Sequence, residues 1–154
     1  MIEKIVVNTG VGRLSQQAQF EDKILPEIEK EFATITGQKA SRRQAKKSIA
    51  GFKTRTGQIV GLTVTLRGTR MENFFERLVN LVLPRVKDFR GLSETNVDQN
   101  GNLNIGLKEQ NVFPEIDVEK SKVAFGIQVT IVPKKKERES AIDFYRRYGV
   151  PLKK

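Results

Sequence analysis

The sequence contains no cysteine and no histidine. Without cysteine the chain can form neither a disulfide nor a thiolate metal site, which is typical of a protein from a reducing compartment. Without histidine it lacks the commonest general base and the commonest metal ligand. The carboxylates show no metal-ligand spacing either. We therefore expect neither an enzyme nor a bound cofactor.

Long hydrophobic runs are also missing. No apolar segment approaches the roughly 20 residues that cross a bilayer, and the first ten residues do not resemble a signal peptide. The sequence therefore predicts a soluble, intracellular protein. With a pI near 10.0, nucleic acid is the leading partner. A membrane surface is the alternative, but the basic stretch lacks the apolar face of an interfacial helix.

Acidic residues are absent between Glu31 and Glu72, and this gap carries most of the net charge. The chain has 28 basic and 18 acidic residues, and nine of the basic residues fall in the gap: Lys39, Arg42, Arg43, Lys46, Lys47, Lys53, Arg55, Arg67 and Arg70. The remainder is nearly neutral, with 19 basic against 18 acidic residues. Such one-sided charge indicates a polyanionic partner.

Within this stretch, residues Lys46 to Gln58 have the composition of a mobile loop, with Gly51, Gly57 and a single aromatic ring at Phe52. The loop offers cations to phosphates and one ring for stacking on a base. The alternative is an ordinary solvated loop of a basic protein.

Hydrophobic periodicity predicts strands alternating with helices. The predicted strands are Ile2–Asn8, Gln58–Arg67 and Val123–Val132, and Asn100-Gly101 marks a hairpin turn between two shorter ones. The predicted helices are Ser15–Ile35, a helix that starts with a capping box at Thr69–Glu72 and ends at Pro84, and a short helix containing Ala141, Phe144, Tyr145 and Tyr148. Pro26 either kinks the first helix or lies in its first turn, and Gly37 caps its C-terminus.

This pattern predicts an α+β sandwich, with helices packed on one face of a mainly antiparallel sheet. The other face is open, and its short polar side chains suit sugar hydroxyls and phosphate oxygens. These are Asn8, Thr63, Thr65, Arg67, Gln128 and Thr130. The alternative is that each is an ordinary solvent-facing strand residue.

Gly10 and Gly12 follow the first strand, as in a dinucleotide-binding turn. Ser15 stands where the third glycine of that motif is expected, so the motif is incomplete. A turn with positive φ, which would allow RNA backbone to come close, is the better interpretation.

Several segments together resemble the bacterial-type ribosomal protein L5 family, in order and over nearly the whole chain. They are VVNTGVG at 6–12, ITGQK at 35–39, AKKSIAGFK at 45–53, VTLRG at 64–68, LPRVKDFRGL at 83–92, IGLKEQ at 105–110 and FPEI at 113–116. The family usually carries a further helix before the first strand, whereas this sequence begins almost at that strand, and the last 21 residues match only loosely.

The length of 154 residues, without a long linker, predicts a single domain over residues 1–154. The resemblance implies that this domain binds RNA and has a ferredoxin-like, RRM-like α+β fold, and we expect no obligate homo-oligomer. It implies binding to 5S rRNA in the central protuberance of the large ribosomal subunit, close to 23S rRNA and other 5S-binding proteins. It also implies contact with P-site tRNA and a bridge to the S-thirteen-family protein of the small-subunit head. The implied location is the ribosome, in the cytoplasm or an organelle.

Carried over by position, the 5S-facing residues of the family fall on Asn8, Gln38 and Thr65. Lys39, Arg42 and Arg43 supply nearby charge for the same RNA. The tRNA contacts fall in the loop, on Lys46, Lys47, Phe52, Lys53 and Arg55. The alternative function is a free-standing RNA-binding module or RNA chaperone that uses the same charge.

Overall fold

The computed structural model describes residues 2–14, 17, 19–46, 57–87 and 89–153. Within them, five antiparallel strands form one sheet: β1 Ile2–Gly10, β2 Ser41–Gln44, β3 Ile59–Leu66, β5 Leu103–Leu107 and β6 Ile127–Pro133. Their order across the sheet is β2-β3-β1-β6-β5. A separate parallel pair joins β4, Leu92–Ser93, to β7, Leu152–Lys153.

The α-helices of the described residues are α1 Leu25–Thr36, α2 Gly68–Arg77 and α3 Arg138–Arg147. Their apolar stripes and one face of the sheet form a common hydrophobic cluster. Alternate strand residues such as Ile5 and Val7 are completely buried in it, as are Phe32 of α1 and Tyr145 of α3. The predicted α+β fold, an antiparallel sheet with helices on one face, is thus confirmed.

Pro26 was predicted either to kink the first helix or to lie in its first turn, and the structure shows the second. A π-helical turn at Phe20–Ile24 leads into α1, which begins at Leu25 with Pro26 in its first turn. Proline is tolerated there because the first helical N–H groups have no partner within the helix. Gly37 caps the other end at φ 77°, as predicted.

The predicted capping box of α2 is wrong. The helix begins at Gly68, one residue before Thr69, and its N-cap residue Arg67 makes no side-chain capping hydrogen bond. Gly68 takes φ 64°, a left-handed conformation that glycine adopts without steric cost. The apolar stripe continues through a π-helical turn, Leu78–Val82, and ends in a 3-10 turn containing Pro84.

The predicted positive φ at Gly10 and Gly12 is also wrong, since neither glycine is among the described residues with positive φ. Val11 N–H instead donates to the Val60 carbonyl at 2.8 Å, which extends the pairing between β1 and β3 past the end of β1.

The hairpin turn predicted at Asn100-Gly101 is present. Gly101 has φ 83°, and Asp98 N–H donates to the Asn102 carbonyl at 3.0 Å. Within the described residues, a single bridge, Val97 to Leu103, joins its two arms. The main neighbour of β5 is β6.

Strand β6 begins at Ile127, four residues later than predicted, because the Gln110 side chain binds the preceding backbone. Gln110 is 2% exposed. Its amide donates to the Val123 carbonyl at 2.6 Å, and its side-chain oxygen accepts from Phe125 N–H at 3.0 Å. These backbone groups are therefore satisfied without a neighbouring strand.

Candidate RNA-binding surface

The face of the sheet away from the helices, called the open face here, carries its side chains in rows across the strands. The strand registers place one row across all five strands: Ser41, Thr63, Asn8, Gln128 and Gly106. The next row contains Thr65, Val6, Thr130 and Asn104. With strands about 4.8 Å apart, each complete row is about 19 Å wide.

The rows present hydroxyl and amide groups. Thr65 and Gln128 are exposed, and Asn8 and Thr130 are half-buried. Thr130 Oγ1 lies 2.8 Å from Asn104 Oδ1, to which it can donate a hydrogen bond. Thr63 is only 8% exposed, and it lies between Ser41 and Asn8 in the row. It is the least available of the six residues predicted from the sequence for this face.

No described residue that alternates onto the open face of the five strands is acidic. Among the described strand residues, the cations that alternate onto this face are Lys4 and Arg43, and Arg67 follows the end of β3. A surface with hydrogen-bonding groups, cations and no carboxylates favours a ligand with phosphate and hydroxyl groups.

Gln38 lies beside this face and is joined to it by hydrogen bonds. Its side-chain amide donates to the Thr65 carbonyl at 3.2 Å, and Arg70 donates to its oxygen at 3.3 Å. Asn8 and Thr65 are diagonal neighbours on β1 and β3, since Thr63 pairs with Asn8 and Thr65 with Val6. The structure therefore brings together the three residues carried over by resemblance.

Arg42 points the other way, unlike its neighbour Arg43. Its guanidinium donates to both carboxylate oxygens of Glu29 on α1, at 2.7 and 3.2 Å. This hydrogen-bonded pair raises the pKa of Arg42 above its ordinary value. The structure thus directs the charge of Arg42 toward the helix side, and its RNA contact stays a prediction. Lys39 is exposed in the connection between α1 and β2.

The predicted loop leaves and rejoins the sheet at its β2 edge. Ala45 N–H donates to the Gln58 carbonyl at 2.8 Å, and Gly57 N–H donates to the Ala45 carbonyl at 2.9 Å. Lys46 is exposed at this neck. The other four predicted tRNA contacts, Lys47, Phe52, Lys53 and Arg55, lie outside the described residues.

Besides the six residues predicted to line it, the open face also carries Lys4, Val6, Ser41, Asn104 and Gly106. Lys4 and Val6 carried a usable signal, since they alternate with Ile5 and Val7. Asn104 carried the same signal, since it alternates with the buried Leu103 and Ile105. Ser41 carried none, because all residues of β2 are exposed and only the register with β3 places it in the row.

Two other kinds of site are missing from the described ranges. Among these residues no cluster of three or more acidic side chains could hold a metal ion. No helix in the same part of the chain is long and apolar enough to span a bilayer.

Two models of known protein families together match almost the whole sequence. Residues 1–55 match the family described as ribosomal protein L5, and residues 59–152 match the family described as the C-terminus of the ribosomal L5 proteins. The chain belongs to the ribosomal protein L5 family. The resemblance drawn from the sequence motifs is thereby confirmed, and membership makes the chain a ribosomal protein and not an enzyme.

Two relatives show how far the similarity extends. The large ribosomal subunit protein uL5c of Paulinella chromatophora is 44% identical over 152 residues, which cover 99% of this chain and 83% of the relative. The large ribosomal subunit protein uL5 of Halothermothrix orenii is 43% identical over 151 residues, covering 98% of this chain and 82% of the relative.

Proposed function

We propose that this L5-family chain is a structural constituent of the large ribosomal subunit that binds 5S rRNA through its open face. It would act in the ribosome of the cytoplasm or of an organelle. Two relatives that match nearly the whole chain are named as large ribosomal subunit proteins, which supports the assignment of this chain to that subunit. The arrangement of polar side chains and cations on the open face supports the proposal that RNA binds there.

The observation that carries the 5S proposal is the row of small polar side chains across the sheet. Asn8 is at its centre, between Thr63 on β3 and Gln128 on β6. These groups can bind ribose hydroxyls and phosphate oxygens, and the flanking cations balance the charge of the RNA. The face carries no aromatic side chain among its described strand residues, so stacking of bases on rings does not account for binding there.

The loop from Lys46 to Gln58 is proposed as the contact with P-site tRNA. Its described ends are hydrogen-bonded to each other at the β2 edge, whereas Asn8 and Gln128 lie on the central strands β1 and β6. The bridge to the S-thirteen-family protein, and the proximity of 23S rRNA and other 5S-binding proteins, are proposed from the resemblance.

The 5S proposal can be tested by measuring binding of the intact chain to 5S rRNA at several salt concentrations. If about six cations meet phosphates, the slope of log K against log salt is about −4 to −5. Asn8→Ala should weaken binding by about 1–3 kcal/mol, because an RNA group would be left without its partner. Asn80→Ala, the same change on an exposed helix-side residue, is the matched control.

A salt slope near zero, or equal affinities for the two asparagine variants with unchanged melting curves, would refute the proposed surface. Sedimentation of the native protein separates the two candidate functions. A ribosomal constituent sediments with the large subunit, whereas a free-standing RNA chaperone remains outside it.

A further inference from the structure

A hollow opens at the β5 edge of the sheet, opposite the edge that carries the basic loop. Its volume is about 470 Å³, within the range of ligand-binding clefts. Val86 and Val112, both half-buried, provide apolar wall, and Lys87 and Lys108 provide charge. Gly106 belongs both to the lining of the hollow and to the polar row of the open face.

Within the described residues, the cations of this hollow have no acidic partner. Lys87 and Lys108 are exposed, and no described carboxylate forms an ion pair with either of them. Glu109 also lines the hollow, where its carboxylate accepts a hydrogen bond from Asn111 at 3.0 Å and keeps its negative charge, so the two lysines exceed it by one charge. Arg85 and Arg90, in the segment that contributes Lys87, are exposed as well. This edge of the sheet is therefore basic, although the sequence placed the charge mainly between Glu31 and Glu72.

Gly106 connects the hollow to the polar row. It is the last member of that row, opposite Gln128. No atom lies within 4 Å of the position that a Cβ would occupy on Gly106. A polymer bound across the row thus meets no side chain between Gln128 and the hollow.

We propose that the RNA bound on the open face continues over Gly106 into this hollow. An unpaired nucleotide lies there, with its base or ribose against Val86 and Val112 and the adjacent phosphates on Lys87 and Lys108. Aliphatic wall next to lysine matches the chemistry of a nucleotide, which has apolar ring faces beside a charged phosphate. The proposal rests on the 5S-binding function proposed above, and it adds Lys87 and Lys108 to the residues that bind that RNA.

The test compares two double variants in 5S rRNA binding. Lys87→Ala/Lys108→Ala removes two charges at the hollow. Lys30→Ala/Lys120→Ala removes two exposed charges from α1 and from the loop after β5. Both variants have the same net charge, so long-range attraction falls equally. Because the hollow variant loses two phosphate contacts, the magnitude of its slope of log K against log salt should fall by about 1.4–1.8. Its affinity should fall about 20-fold at 0.15 M salt. The control variant should keep the wild-type slope.

A second variant tests whether the RNA passes over Gly106, independently of the lysine charges. Gly106→Leu adds a side chain in open space on the strand, so it should weaken 5S binding several-fold without lowering the melting temperature. The proposal is overturned if the two double variants have equal slopes, or if Gly106→Leu binds as tightly as wild type. If wild type itself fails to bind 5S rRNA, or Asn8→Ala binds normally, the proposed function fails instead.

Discussion

The side-chain amide of Gln38 donates a hydrogen bond to the backbone carbonyl of Thr65, 3.2 Å away. Gln38 follows the cap of α1, whereas Thr65 lies within β3. The contact therefore places the end of a helix against the open face. Arg70 donates to the same glutamine from the first turn of α2. Through these two hydrogen bonds, Gln38 connects β3 to the first turn of α2 beside the proposed RNA-binding face.

Replacing Gln38 with alanine tests whether this arrangement serves RNA binding. The hydrogen bonds of Gln38 are exposed, so the free energy of unfolding should change by less than about 0.5 kcal/mol. Binding to 5S rRNA should weaken by about 1–3 kcal/mol if an RNA group loses its partner. Gln99→Ala, an exposed change in the hairpin turn packed against α3, is the control in the same titration. Equal affinities for the two variants would remove Gln38 from the binding surface.

Two glycines with similar φ offer a matched test of packing in the fold. Gly37 has φ 77° and no atom within 4 Å of a built Cβ, whereas Gly101 has φ 83° and would place its Cβ 2.8 Å from the Ala141 Cβ. Gly37→Ala should cost about 1–2 kcal/mol, the strain of a left-handed non-glycine residue. Gly101→Ala should cost more than about 3 kcal/mol, because the contact with α3 must also be relieved. Urea denaturation measures both values, and equal values would contradict the tight packing at Gly101.

The strands and helices with a strong periodic pattern could be predicted from the sequence, because one face of each is buried. Strand β2 could not. Its four residues, Ser41, Arg42, Arg43 and Gln44, are all exposed, so they show no alternation of apolar and polar side chains. Pairing with β3 makes this segment a strand, and such pairing between distant segments leaves no local signal.

The open face could be predicted residue by residue, but its rows could not. Alternation along β3 and β6 assigned Thr65 and Gln128 to the face away from the core. The register that aligns Asn8 with both Thr63 and Gln128 depends on contacts between strands. The role of Gln110 could not be predicted for the same reason. Its hydrogen-bond partners, Val123 and Phe125, lie 13 and 15 positions further along the chain.

Tyr145 should make stability depend on alkaline pH. Its buried hydroxyl donates to the Gly101 carbonyl at 2.6 Å. Burial, followed by the nearby charge of Asp98, raises the pKa of Tyr145 above its ordinary value of 10.0. Because the folded state favours the neutral phenol, its contribution is fully present below pH 10 and is lost as pH rises toward the folded-state pKa. The loss should reach about 1.4 kcal/mol between pH 9 and 11.

Denaturant titrations at pH 9 and 11 check this effect. Tyr145→Phe should be less stable at neutral pH by about 1–3 kcal/mol, because the Gly101 carbonyl loses its donor. It should also lose less stability than wild type between the two pH values. Tyr148→Phe is the control, since Tyr148 is 52% exposed. Parallel pH curves for the two variants would show that Tyr145 does not cause the alkaline loss.

The loop from Lys46 to Gln58 should separate tRNA contact from 5S binding. Its neck is hydrogen-bonded at the β2 edge through Ala45, Gly57 and Gln58, so changes within the loop need not move the sheet residues that face 5S rRNA. Replacing Lys47, Phe52, Lys53 and Arg55 together with alanine removes three charges and the ring proposed to stack on RNA. Affinity for 5S rRNA should stay within a few-fold of wild type, because only long-range attraction falls. Retention of P-site tRNA on assembled ribosomes should weaken.

A control for the same loss of charge uses Lys30, Lys120 and Lys122, which are exposed on α1 and on the loop after β5. Their triple alanine variant should retain P-site tRNA as wild type does. The loop assignment predicts a defect in tRNA retention for the loop variant alone. If the loop variant instead abolishes 5S binding while P-site occupancy is unchanged, the loop belongs to the 5S surface, because its cations then act on the RNA that the sheet binds.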